Sequence, residues 1–194
     1  ELLGKHTAIL GSTGAGKSGT VAAILHAILE KGGQDGYSKW NPRIIILDPH
    51  NEYGKAFHSS MRLSTDEGSL KLPYWLLNFD ETRNLLIGKT EFVATSQSNI
   101  VKNALLKARI ASAESLELDP STITIDSPIP YPMDAFISVV TTQRDKISAT
   151  SKHDSFNSIL QKLAVLRQDS RMRFMMEPWN GECDPFAEIV SQFM

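Results

Sequence analysis

A glycine-rich segment near the start of the chain carries the residues with the clearest chemistry. It reads Gly11-Ser12-Thr13-Gly14-Ala15-Gly16-Lys17-Ser18 and fits the pattern G-x-x-x-x-G-K-[ST] at every defined position. Glycines allow backbone N–H groups to turn toward phosphate oxygens without a clash of Cβ atoms. In this pattern the lysine brings positive charge to the β- and γ-phosphates, and the serine hydroxyl binds Mg²⁺. The residues predicted to bind a nucleoside triphosphate are Gly11, Ser12, Thr13, Gly14, Ala15, Gly16, Lys17, Ser18 and Gly19.

The residues on either side predict the elements that position this segment. Residues 6–10 form an apolar run that indicates a buried strand, and residues 43–48 form a second such run. Aliphatic residues at helical spacing over positions 21–28 predict an amphipathic helix, which Gly32-Gly33 is expected to end. A strand, a glycine turn, a helix and a strand in this order make a βαβ unit, so we expect an α/β fold with a parallel sheet.

Two acidic residues follow the second predicted strand, at the edge of the sheet where ligands of α/β folds bind. Asp48 ends the strand and is predicted to lie on the Mg²⁺ side of the nucleotide, together with Ser18. The alternative for Asp48 is a structural cap for the turn at Asn51-Glu52. Glu52 is a candidate catalytic group near the γ-phosphate, and its alternative is an exposed turn residue. Lys17, Glu52 and Asp48 are thus the candidate catalytic residues.

The segment around these acidic residues resembles a family signature. Leu47-Asp48-Pro49-His50-Asn51-Glu52-Tyr53 is similar to the Asp-Pro-His-Gly-Glu-Tyr motif of the HerA family, within the HerA–FtsK group of hexameric ATPases. Asn51 stands where the family has glycine, and asparagine tolerates left-handed backbone conformations better than most other residues. Weaker similarity extends to residues 72–78 and 171–175.

The resemblance implies a fold, an activity and a set of partners. The fold would be a P-loop NTPase with a RecA-like parallel sheet in its N-terminal half and a mainly helical insertion. The activity would be ATP hydrolysis with Mg²⁺, used to move a homo-hexameric ring along DNA. The implied protein partner is a nuclease or a sirtuin-like effector, in DNA processing or antiviral defence.

The rest of the chain is predicted to be mainly helical. We expect a P-loop core at residues 1–77, a helical insertion at 78–171 and a segment at 172–194 that returns toward the core. In the HerA family, a second apolar strand further downstream ends in an acidic pair, Asp/Glu-Glu. This second acidic strand is not found here, so we expect the chain to be the first part of a longer motor domain. Four arginines are candidates for an arginine finger or a pair at a subunit interface, although an exposed helix face is the favoured interpretation of each: Arg144, Arg167, Arg171 and Arg173.

Composition excludes several classes of protein. The chain has 194 residues, with 20 lysines and arginines against 22 acidic residues and a formal charge of −2. This balance argues against a domain that binds nucleic acid through a large excess of positive charge. Cys183 is the only cysteine, which excludes an intrachain disulfide and a cysteine-based zinc site. No long apolar run or signal peptide is found, so we expect a cytoplasmic protein without membrane contact.

Two other functions remain open from the sequence. A P-loop kinase for small molecules would use the same phosphate-binding segment, but an arginine-rich lid with acceptor-binding residues is not recognisable. A module in which nucleotide binding controls assembly, without turnover, is favoured by the absence of the second acidic strand. The sequence does not indicate the DNA strand preference, the direction of movement, the effector or the number of subunits in the ring.

Overall fold

Two units make up the computed structural model, Glu1–Arg62 and Leu63–Met194. The described residues are 5–34, 43–87, 91–147, 153–179 and 181–193. None of the helices in these ranges is both long and apolar enough to cross a membrane. The predicted division at residues 77 and 171 stays a prediction.

The first unit is built around helix α1 (Lys17–Gln34). Its first turn is closed by Thr20, whose backbone N–H and hydroxyl donate to the Gly16 carbonyl at 2.9 and 3.0 Å. Three alanines and two leucines in the middle of the helix favour it by intrinsic propensity. The helix continues through Gly32-Gly33, where the sequence predicted its end.

Contacts from α1 hold the segment that follows residue 48 in the same unit. The His26 ring stacks on Phe57 with ring centroids 4.6 Å apart and an angle of 16° between the planes. Its Nε2 atom donates to the Ala56 carbonyl at 2.9 Å. These contacts attach residues 56–57 to the helix that begins at the glycine loop.

The predicted α/β fold with a RecA-like parallel sheet is wrong for this structure. No β-strand occurs among the residues that the structure describes, and residues 6–12 and 43–48 have no regular secondary structure. Leu10, Ile45 and Leu47 are 89%, 78% and 90% exposed, so the two apolar runs are not covered as a buried strand would be. An apolar run becomes a strand of a parallel sheet only when neighbouring strands pair with it and helices cover both faces. The sequence pattern identifies apolar runs, but it does not show whether neighbouring strands and helices cover them.

The second unit is a helical assembly centred on its longest described helix. The helices are α2 (Phe79–Leu86), α3 (Glu91–Ser115), α4 (Met133–Asp145), α5 (Asp154–Gln168), α6 (Arg173–Met176) and α7 (Phe186–Ser191). Short 3₁₀ turns lie at Tyr74–Leu76, Pro120–Thr122 and Ser170–Met172. Helix α3 packs against α2, α4 and α5. The start of α2 is capped by Asn78 and Glu81 in a reciprocal capping box, with both hydrogen bonds at 2.9 Å.

The apolar spacing on α3 and α5 forms the core of this unit. The buried residues on α3 recur at helical spacing, as the sequence predicted, and α5 shows the same pattern. The buried apolar residues include Ile100, Val101, Ala104, Leu105 and Ala108 on α3 and Phe156, Ile159, Leu163 and Leu166 on α5. Each helix places an apolar face inward, as its amphipathic pattern predicts.

Candidate nucleotide-binding site

The glycine loop has a backbone conformation that requires glycine at two positions. Gly14 and Gly16 have φ angles of +82° and +81°, a region that residues with a Cβ atom rarely adopt. Between them, the Ala15 N–H donates to the Ser12 carbonyl at 3.2 Å and closes a turn. Residues 11–16 are exposed, so the loop is open to a ligand.

Lys17 lies across this loop at the start of α1. Its Nζ atom donates to the Ser12 carbonyl at 2.7 Å. A Cβ atom on Gly11 would lie 3.3 Å from Cβ of Ala15 and 3.5 Å from Cγ of Lys17, so glycine at position 11 leaves room for the lysine stem. The ammonium group and the N-terminal end of the helix dipole therefore lie at the same place. Together they favour a bound anion such as a phosphate group.

Ser18 connects the glycine loop to the second motif. Its hydroxyl group donates to Oε2 of Glu52, which is 34 residues further along the chain. A hydroxyl that donates its proton to a carboxylate keeps its oxygen lone pairs, so Ser18 remains able to bind a cation. The structure thus brings together two sequence-predicted site residues from separate motifs.

Asp48 stabilises the turn that carries Glu52. Its carboxylate accepts the backbone N–H of Tyr53 at 2.9 Å and that of Glu52 at 3.0 Å. The hydrogen bond from Tyr53 is the main reason that the pKa of Asp48 lies below its ordinary value. Desolvation opposes this shift, and the backbone N–H groups of residues 50–52 add to it. Asp48 therefore caps the turn, as one of its two predicted roles required, while its role at Mg²⁺ stays a prediction.

Asn51 has the left-handed conformation that the sequence led us to expect, with φ +53°. Its side-chain oxygen Oδ1 accepts a hydrogen bond from Nη2 of Arg62 at 2.8 Å. Sequence reasoning missed Arg62, because no motif includes it. One feature of the sequence could have indicated that another residue stabilises this turn: Asn51 stands where the family signature has glycine.

The oxygen atoms at this site suit Mg²⁺. The Ser18 hydroxyl and the Glu52 carboxylate are hard oxygen donors, which Mg²⁺ prefers. No group of three or more His, Cys, Asp and Glu side chains that could hold a metal ion occurs in the described ranges. Mg²⁺ bound with a nucleotide does not require such a group, because it takes phosphate oxygens and waters as its other ligands.

The candidate arginines lie in the second unit, and three of them form ion pairs there. Arg144 contacts Asp145 at 3.0 Å, Arg167 contacts Asp134 at 3.0 Å, and Arg171 contacts Asp169 at 2.8 Å. Arg173 is exposed and forms no ion pair with the described residues. A role of any of them toward a neighbouring subunit stays a prediction.

Comparison with known families agrees with the two motifs. A family model described as the central domain of helicase HerA matches residues 1–188. The chain therefore belongs to the HerA helicase family, which confirms the resemblance of the motif at Leu47–Tyr53. Membership in a helicase family implies the use of a nucleotide.

Curated relatives carry the same family name or a helicase name. A probable helicase of Methanocaldococcus jannaschii is 24% identical over all 194 residues, which cover 33% of that protein. The DNA double-strand break repair helicase HerA of Pyrococcus furiosus is 42% identical over 53 residues, 27% of this chain and 8% of that protein. A second probable helicase of M. jannaschii is 44% identical over 55 residues, 28% of this chain and 9% of that protein. The chain spans at most a third of the length of these relatives.

Proposed function

We propose that this chain is the nucleotide-binding part of an ATP-driven DNA translocase or helicase. The observation that carries this proposal is the contact between Ser18 and Glu52. It joins the phosphate-binding loop to the turn of the family signature, and so places a carboxylate beside the loop that would hold the γ-phosphate.

Each of the three side chains at the site would have a separate role in ATP hydrolysis. Lys17 would give up its hydrogen bond to the Ser12 carbonyl and bind the β- and γ-phosphates. Its hydrogen bond to a charged phosphate oxygen is stronger than one to a neutral carbonyl. Ser18 would bind Mg²⁺, which neutralises charge on the phosphates when it is bound. Glu52 would orient the attacking water and accept its proton as the bond to the leaving phosphate oxygen breaks.

The names of the relatives support DNA as the substrate. The curated HerA proteins of M. jannaschii and P. furiosus are named for DNA double-strand break repair. A formal charge of −2 argues against DNA binding through bulk positive charge in this chain. From the resemblance to the HerA–FtsK group of hexameric ATPases we infer a homo-hexameric ring that works with a nuclease or sirtuin-like effector in DNA processing or antiviral defence. The near-neutral charge leads us to expect that only a few basic residues from each subunit contact DNA.

Phosphate release by the full-length protein, with and without double-stranded DNA, tests this function. We expect DNA to raise the ATP hydrolysis rate, and we expect Lys17→Ala to abolish hydrolysis under both conditions. Lys55→Ala is the matched control, because Lys55 is exposed in the same unit and forms no hydrogen bond or ion pair with the described residues. It should keep the wild-type rate.

Three results would contradict the proposal in different ways. A wild-type rate of hydrolysis in Lys17→Ala would show that the glycine loop does not take part in the reaction. Transfer of the labelled phosphoryl group to a small-molecule acceptor would indicate a kinase. Nucleotide-dependent assembly without phosphate release would indicate a module that uses the nucleotide only as a signal.

A further inference from the structure

The turn that carries Glu52 depends on an unusual residue. Asn51 and Glu117 are the non-glycine residues with positive φ in the described part of the chain, and Asn51 directly precedes Glu52. Asparagine adopts this conformation more readily than most residues, but glycine does so without a steric penalty. A chain with asparagine at this position gains from a contact that holds the conformation.

Arg62 makes that contact. Its Nη2 atom donates to Oδ1 of Asn51 at 2.8 Å. The guanidinium group reaches Asn51 across Gly54, where a Cβ atom would lie only 3.0 Å from Cζ of Arg62 and 3.2 Å from Oδ1 of Asn51. Glycine at position 54 therefore leaves the space in which the two side chains meet. A glycine at position 51 would offer no side chain to accept this hydrogen bond.

The effect of the contact reaches Glu52 through the backbone. The N–H groups of Glu52 and Tyr53 both donate to the Asp48 carboxylate, and the Asn51 N–H donates to the Asp48 carbonyl at 3.3 Å. The Asn51 backbone is thus part of a turn with three hydrogen bonds. A change of φ at Asn51 would rotate the next residue and move the Glu52 carboxylate away from Ser18.

We propose that Arg62 is a positioning residue that holds Asn51 in its left-handed conformation and thereby aims Glu52 at the glycine loop. This role rests on the proposed function, because its consequence is the rate at which bound ATP is hydrolysed. Arg62 acts through Asn51 and is not assigned a contact with the nucleotide. The hydrogen bond between Arg62 and Asn51 thus stabilises a backbone conformation that a glycine would adopt without support.

A double-mutant cycle in the full-length protein tests this role. Arg62→Ala should lower kcat for ATP hydrolysis by about tenfold, because even a small misplacement of a catalytic group is costly, and leave the KM for ATP within about threefold. In the Asn51→Gly background the same substitution should change kcat by less than about twofold, because glycine adopts a positive φ without support. Arg43→Ala is the matched control, since Arg43 is exposed in the same unit and forms no hydrogen bond or ion pair with the described residues.

Backbone hydrogen exchange in the nucleotide-free protein separates this role from the proposed function. Arg62→Ala should accelerate exchange of the Glu52 and Tyr53 amides, and should not do so in the Asn51→Gly background. If the wild-type protein hydrolyses no ATP, the proposed function fails while the exchange cycle still decides the role of Arg62. Equal effects of Arg62→Ala in both backgrounds, or no effect in the presence of Asn51, would overturn it.

Discussion

At the scale of the residue, Glu52 is the acidic group that the structure places beside the glycine loop. Its carboxylate accepts the Ser18 hydroxyl, and its own backbone N–H is held by Asp48 at 3.0 Å. The side chain is exposed, so a water molecule can reach it. A carboxylate in this position can act as a base toward water attacking the γ-phosphate.

Glu52→Gln separates this chemistry from binding. Glutamine keeps the shape of the side chain and can still accept the Ser18 hydrogen bond, but it cannot take a proton from water. We expect kcat for ATP hydrolysis to fall about 100- to 10,000-fold, the usual range for loss of a general base, with little change in nucleotide affinity. Single-turnover hydrolysis and equilibrium nucleotide binding measure the two quantities.

Glu30→Gln is the control for this prediction, because Glu30 is exposed on α1 and its described contacts include no ion pair. Wild-type turnover in Glu52→Gln would contradict the catalytic role. A parallel loss of affinity and turnover would instead assign Glu52 to nucleotide or Mg²⁺ binding.

The residues of the site differ in how far the sequence could predict them. The glycine loop was predictable because its function depends on local backbone conformation, and Gly14 and Gly16 have the positive φ angles that the motif implies. The left-handed conformation of Asn51 was predictable for the same reason. Arg62 was not, because its contact with Asn51 depends on how a chain segment of 11 residues folds back on itself.

At the scale of the element, α3 is held in place by a buried cation as well as by its apolar face. Arg109 is completely buried. It donates to three backbone carbonyls from outside α3, those of Trp75 at 3.2 Å, Leu77 at 2.7 Å and Ile125. Burial lowers the pKa of Arg109, which nearby Tyr131 and Asp126 partly oppose. One side chain thus joins α3 to two separate connecting segments.

Arg109→Met tests the contribution of this cation to stability. The methionine fills part of the volume but leaves the three carbonyls without their donor. Hydrogen bonds to charged groups are worth about 1.5–3 kcal/mol each, and burial of the apolar methionine offsets part of their loss. We therefore expect the free energy of unfolding to fall by about 3–5 kcal/mol. Denaturant unfolding followed by circular dichroism measures it.

Lys107→Met on the exposed side of the same helix is the matched control and should change stability by less than about 0.5 kcal/mol. Equal stabilities of Arg109→Met and the wild type would show that water or other groups satisfy the three carbonyls without Arg109.

Helices could be predicted from the sequence and strands could not, for a physical reason. The apolar faces of α3 and α5 repeat at helical spacing, and a helix makes its backbone hydrogen bonds within itself, so local pattern was sufficient. A strand makes its hydrogen bonds with other strands. The runs at residues 6–10 and 43–48 therefore predicted a sheet that the described residues do not form.

At the scale of the whole molecule, we expect stability to depend on pH through two tyrosines buried in the second unit. The Tyr74 hydroxyl donates to the Tyr131 carbonyl at 2.6 Å. The rings of the two residues meet edge to face, with centroids 5.2 Å apart. Burial raises the pKa of Tyr74 to about 12, and burial raises the pKa of Tyr131 still further.

These shifts predict a loss of stability at alkaline pH. The unfolded chain loses its tyrosine protons near the ordinary pKa of 10.0, whereas folded Tyr74 keeps its proton up to about pH 12. The stabilisation is fully present below pH 10.0 and is lost as the pH rises toward 12, because only the unfolded state gains from deprotonation in that range. Thermal unfolding at a series of pH values measures the loss.

Tyr74→Phe should change this dependence in a defined way. At neutral pH it should cost about 1–2 kcal/mol, because the Tyr131 carbonyl loses a buried hydrogen bond. Between pH 10.0 and about 12 its stability should fall less steeply than that of the wild type, since one titrating group is gone. Identical slopes for the two proteins would contradict the assignment of the alkaline loss to Tyr74.

The family could be predicted from the sequence although the architecture could not. Two short motifs, at residues 11–18 and 47–53, were specific enough to identify the HerA family, which the match over residues 1–188 confirms. The chain covers at most 33% of the length of these relatives, so the activity of a whole relative comes to this chain only as a proposal. The nucleotide site is therefore the claim on which the rest of the proposed function depends.

Equilibrium binding of a fluorescent ATP analogue in the presence of Mg²⁺ tests this site most directly. We expect Lys17→Ala to weaken binding about 10- to 100-fold, since a charge-assisted hydrogen bond is worth about 1.5–3 kcal/mol. Lys55→Ala should bind the analogue as the wild type does. Wild-type affinity in Lys17→Ala would contradict the account, because it would mean that the glycine loop does not hold the phosphates.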